Sequence, residues 1–163
     1  MKYTVKNKAI SLNGGSIVYN EKHEIVFKVS GNFIKNIFGL HTKKIKDKDG
    51  KKLFVVRNKF WHKPFFKSAI IYANGKKIAT VTNSHLIKNG YEVIGATEPI
   101  TVEGTGWNLD IKLGNKIIGK IEPSKEINFN NTYVFEAKDQ EDVPFLVAML
   151  IAIDNIHDAH RNR

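Results

Sequence analysis

Val143-Pro144-Phe145-Leu146-Val147-Ala148-Met149-Leu150-Ile151-Ala152-Ile153 runs for 11 residues without a charged or hydrogen-bonding side chain, close to the end of a chain of 163. The run is longer than an ordinary strand, rich in Leu, Ala, Met and Ile, and free of internal turn residues, which favours a helix. Asp139, Glu141 and Asp142 precede it, where carboxylates suit the positive end of a helix dipole and Asp142 can cap free amides. Pro144 then falls in the first turn, where a missing N–H costs nothing. His157, His160, Arg161 and Arg163 meet the negative end, so the helix is expected over about 143–159. A helix that is apolar on every side must be surrounded. A bilayer span needs about 20 apolar residues, and this run stops at Asp154. No transmembrane segment is expected, and the enclosure has to be protein.

Working outward, residues Lys2 to Lys138 read as short strands joined by tight turns. The clearest is Trp107-Asn108-Leu109-Asp110-Ile111-Lys112-Leu113, where apolar and polar residues alternate and one face is buried. Gly114-Asn115 turns it into Lys116 to Ile121; Asn74-Gly75 and Asp49-Gly50 mark two further hairpins, and Asn20 to His23 the tip of a fourth. With Tyr3 to Asn7, Tyr91 to Gly95, Pro99 to Gly104 and Thr132 to Lys138, the total is about twelve strands. Barrels of about eight strands are just filled by side chains and those of about sixteen leave a channel. A closed, mostly β, roughly twelve-stranded antiparallel barrel therefore needs a filling, and the helix supplies one. Two open sheets packed over a helix would satisfy the same pattern. The length suits a single domain over 1–163.

The chain has no cysteine, which removes disulfides and thiolate metal sites, and its first residues lack the apolar core of a signal peptide. A cytoplasmic protein is expected, with peripheral attachment to a membrane if charge is used that way. Between Lys43 and Lys67 lie ten Lys or Arg against Asp47 and Asp49, so +8 of the chain's +10 net charge is concentrated there. Such asymmetry suits an anionic partner. Yet 23 of the 26 basic residues are Lys, and lysine used as a default surface residue would give the same count. The candidate headgroup-binding residues are Lys44, Lys46, Lys51, Lys52, Arg57, Lys59 and Lys63. Phe60, Trp61, Phe65 and Phe66 interleave with the last of these, as rings and ammonium groups do at a membrane interface. The same rings are large enough to plug one end of a barrel. Asn32 to Gly39 is a second apolar loop with the same two readings.

Enzyme chemistry finds little footing. No serine sits in Gly-x-Ser-x-Gly, and Asn13-Gly14-Gly15-Ser16 and Gly104-Thr105-Gly106 lack the phosphate-loop pattern. Asp154, His157, Asp158 and His160 have helical spacing, but no His-Glu-x-x-His motif is present and histidines at a helix end commonly serve the dipole. No catalytic residue, metal or cofactor is expected. If the helix is enclosed, Asp154 must reach the barrel mouth or accept hydrogen bonds. Arg57 is the only Arg before residue 161, and Arg is the better fork for phosphate and guanine, so nucleic acid ranks third among partners. An anionic phospholipid or phosphoinositide-like headgroup comes first and a protein partner of a scaffold domain second.

The strand-turn-strand units built on Asp49-Gly50-Lys51 and Asn74-Gly75-Lys76, closed by the apolar Asp142 to Asp154 helix, resemble the LURP-one-related, or YxjI-like, family over nearly the whole chain. That family belongs with the tubby C-terminal-like domains and phospholipid scramblases. The resemblance implies a twelve-strand barrel threaded by its C-terminal helix. It also implies a membrane-associated role, since tubby domains bind phosphoinositides through basic surface residues. No residue-by-residue match to the tubby phosphoinositide site is present.

Overall fold

The computed structural model describes residues 1–7, 15–31, 42–59, 68–84, 90–95, 99–124, 132–139 and 143–161, the side chains of 7, 84 and 158–161 excepted. Twelve strands run in order: β1 (Lys2–Asn7), β2 (Ser16–Tyr19), β3 (Ile25–Gly31), β4 (Thr42–Asp47), β5 (Lys52–Asn58), β6 (Ser68–Ala73), β7 (Lys76–Ser84), β8 (Gly90–Ile94), β9 (Ile100–Thr105), β10 (Asn108–Leu113), β11 (Lys116–Pro123) and β12 (Thr132–Ala137). The helix α1 (Val143–Arg161) follows. Each strand pairs antiparallel with its sequence neighbours, and β1 pairs with β12 to close the barrel. Closure leaves no sheet edge and rules out the two-sheet alternative.

Alternation places one set of side chains inside. Phe135 lies opposite Ile121, and Ile121 opposite Leu109, with Tyr3 stacked on Phe135 at 4.9 Å between ring centres. Residues Leu146 to Ile153 are all buried, more than two full helical turns without a wet face. A helix of 19 residues spans roughly 28 Å at 1.5 Å per residue. Strands of six to nine residues span roughly 20–30 Å, so the helix matches the barrel's height.

The helix does not sit on the barrel axis. It lies nearest β5, β6 and β7, whose inward residues include the small Val56, Ala69, Ala79 and Val81 beside the larger Ile71. On β1 and β12 the buried inward residues include the larger Tyr3, Tyr133 and Phe135. One further close approach involves Gly119, where an added Cβ would stand 2.9 Å from the Glu136 carbonyl oxygen and 3.5 Å from Leu146 Cδ1.

The two ends of the barrel differ. Met1, the start of α1 and the tight turns at Asn20 to Glu24, Lys48 to Lys51, Asn74-Gly75 and Gly114-Asn115 share one end. Asn74 and Gly75 both adopt positive φ (50° and 76°), which matches the twist of a two-residue hairpin. The helix exits at the opposite end. The expected Asp142 cap and the Asn32 to Gly39 loop lie outside the described residues, whereas Pro144 stands in the first helical turn.

Candidate functional site: a basic outer wall

Strand β4 shows how the sequence sorts its lysines. Ile45 and Lys43 take the inward phase and are buried, while Lys44 and Lys46 point outward. Lys28 on β3 lies directly opposite Lys46, and Lys46 directly opposite Lys52 on β5. Three lysines thus form one row across three strands, an arrangement that costs stability because like charges face each other. In the neighbouring outward row, Lys44 is paired with Val55 and Val55 with Tyr72. Arg57 lies over the Tyr72 ring at 5.6 Å, and Lys77 is opposite Tyr72 on β7.

Strands β3, β5, β6 and β7 contain no carboxylate at all, and β4 contains only Asp47. The Asp47 carboxylate accepts the backbone N–H groups of Asp49 (3.0 Å) and Lys51 (2.8 Å) and so pins its own turn. Among the described residues none of Lys28, Lys44, Lys46, Lys52 or Arg57 forms an ion pair.

The other wall is built differently. Lys2, Glu136, Lys120 and Asp110 face one another in turn across β1, β12, β11 and β10, and Glu103 on β9 completes the row. Lys120 stands 3.7 Å from Asp110, and Lys112 pairs with Glu103, whose hydrogen bond holds the Lys112 ammonium above its ordinary pKa. Asp110 and Glu103 face each other across β10 and β9, but Lys120 and Lys112 offset them, so charges largely cancel on this wall and accumulate on the other.

The residues grouped by sequence are therefore strung along the height of one wall. Lys51 and Lys52 lie at the tight-turn end, Lys44, Lys46 and Arg57 along the strands, and Lys59, exposed, at the end where the helix exits. Phe60, Trp61, Lys63, Phe65 and Phe66 lie outside the described residues. Lys43, counted with the basic stretch by sequence, does not belong to the surface.

Its ammonium is 3.4 Å from Asp154 Oδ2, and both side chains are almost fully buried. The Tyr133 hydroxyl donates to Asp154 Oδ1 at 3.5 Å. Tyr133 packs on Trp107 (4.1 Å between centres), which also packs on His157 (4.7 Å). Tyr91 lies beside His157 at 6.4 Å, and burial pushes its phenol up to about 12. Asp154 is thus satisfied by protein groups inside the barrel, and His157 is an aromatic packing partner. Among the described residues no three His, Asp or Glu side chains converge as metal ligands would.

A shallow groove of about 210 Å³ crosses the basic wall, bounded by Lys52, Val55, Arg57, Tyr72 and the Asn74-Gly75 turn. Apart from the Lys43–Asp154 pair, the described side chains that face inward are mostly apolar and the charged ones lie outward, the reverse of a lipid-facing barrel. No helix among the described residues is long and apolar enough to cross a membrane.

A twelve-strand antiparallel meander closed around its own C-terminal helix is the barrel that the resemblance to tubby-like domains implies. The LURP-one-related family model matches residues 1–154, and the chain belongs to that family. No curated protein and no solved structure matches the chain.

Proposed function

We propose that the protein is a non-catalytic binding module that docks on anionic phospholipid surfaces, phosphoinositide-like headgroups among them, through the β3–β5 wall. The observation that carries this reading is the uncompensated row Lys28, Lys46 and Lys52, flanked by Lys44 and Arg57, on a barrel whose other wall is charge-paired. Each Lys or Arg near an anionic membrane contributes about 1 kcal/mol. Five such groups give about 5 kcal/mol, a dissociation constant in the sub-millimolar range and so a reversible attachment. Supporting a non-catalytic reading, the described residues of α1 from Leu146 to Ile153 are buried in the barrel interior, the place where a barrel enzyme commonly keeps its substrate.

The test is co-flotation of the purified protein with neutral and anionic liposomes at low and raised salt. Binding to anionic vesicles alone, weakening as salt shortens the screening length from about 10 Å at 0.1 M to about 3 Å at 1 M, is expected. Absence of binding to every vesicle overturns the reading and directs the search to protein partners.

A further inference from the structure

The groove on the basic wall has a composition that a general anionic surface does not require. Its floor is Val55 and the Tyr72 ring, which face each other across β5 and β6. Arg57 and Lys52 border it, and Lys77 flanks Tyr72 from β7. All three cations are exposed, and none pairs with a carboxylate among the described residues.

Arg57 and Lys52 are five residues apart on one strand, too far for their Cα atoms to share a small anion. Arg57, however, lies over Tyr72, whose register partner Val55 is two residues nearer Lys52. That lean leaves about three residues between the guanidinium and Lys52, roughly 10 Å of strand. A lysine side chain is long enough to cover much of that gap, and both residues line the same groove. A guanidinium resting on a ring keeps its N–H edge available, and that planar fork matches two oxygens of a phosphate or carboxylate.

We infer that this groove is a site for a phosphomonoester, with Arg57 and Lys52 holding the phosphate and Tyr72 and Val55 receiving the uncharged body of the ligand. A phosphomonoester suits it better than a phosphodiester because it offers three acceptor oxygens and a charge of about −1.5 to −2 near neutral pH. A diester offers two free oxygens and a single charge. The same chemistry comes from a lipid headgroup or from a soluble phosphate ester. The lipid source rests on the docking reading above; the soluble one does not.

The experiment compares phosphatidylcholine vesicles doped with phosphatidic acid against vesicles doped with phosphatidylglycerol to the same measured surface potential. Several-fold tighter binding to phosphatidic acid is expected. Arg57→Gln should abolish that preference, Lys52→Gln should reduce it, and Lys28→Gln should weaken both vesicle types alike, with each variant's fold checked by circular dichroism. Equal affinity at matched potential, or a preference that survives in folded Arg57→Gln and Lys52→Gln, overturns the inference. In the second arm, glycerol 3-phosphate is titrated without vesicles while amide NMR signals of Arg57 and Tyr72 are followed. Saturable shifts establish the groove as a site for a free ester even if vesicle docking fails. Docking on all anionic vesicles alike with no shift removes the groove and leaves the docking wall.

Discussion

Replacing Lys43 alone by Met should be among the most damaging single changes outside the apolar core. Lys43 and Asp154 stand 3.4 Å apart with side-chain exposures of 5% and 6%. At an effective dielectric of about 20 their attraction is on the order of 5 kcal/mol, offset by the cost of desolvating both charges. Removing one partner of a buried ion pair costs about 3–5 kcal/mol, because the charge left behind stays desolvated without its counter-charge. Total stabilities are about 5–15 kcal/mol, so Lys43→Met and Asp154→Leu should each forfeit a large share. The double variant should recover most of it, because replacing a buried pair by apolar residues is about neutral or stabilising. Urea denaturation of the four proteins, with unchanged slopes, gives the coupling energy as a double-mutant cycle. Single variants losing less than about 1 kcal/mol, or a double variant as weak as the sum of the singles, would refute the enclosed pair.

Lys46→Gln removes both like-charge contacts, to Lys28 and to Lys52, so the melting temperature should rise by about 1–4 °C while affinity for anionic vesicles falls about fivefold. A lower melting temperature, or unaltered flotation, would count against the row's proposed role. Leu150, 1% exposed in the middle of α1, should not tolerate Asp, which strands a charge inside the barrel. Leu150→Met keeps the volume and should cost less than about 1.5 kcal/mol. A soluble Leu150→Asp variant with a native melting curve would contradict the enclosed helix.

The helix and the hairpins were legible because each has a local signature. An apolar run with no wet face admits one environment, and Asn74-Gly75 between alternating segments specifies its own turn. Closure was not legible in the same way, since it depends on Lys2 lying opposite Glu136, a pairing with no local signal. Lys43 marks a missed opportunity. Its position two residues before Ile45 puts it on the inward phase of β4, and Asp154 is the first charge after the apolar run of α1. A charge forced inward needs an opposite charge, so phase alone pointed to the pair. The groove could not be foreseen, because it depends on the β-bulges at Ile45/Lys46 and Ile71/Tyr72 and on the lean of Arg57.

Lysines on strands often serve to keep exposed sheet edges from pairing with other chains. That explanation fails for Lys28, Lys46 and Lys52, because the β1–β12 pairing closes the sheet and leaves no edge to guard. A general preference for lysine on the surface fails in a different way. Were composition alone responsible, lysines would face lysines on both walls, whereas Lys120 stands between Asp110 and Glu136. The same chain offsets its carboxylates with Lys112 and Lys120 across β9–β12, even where Asp110 faces Glu103, and leaves its lysines without carboxylate partners among the described residues across β3–β5, where the arrangement costs stability. A cost borne on one face of an otherwise balanced barrel is most simply met by an anion that covers that face, which is why the lysine wall rather than the barrel's interior is where a partner should be sought.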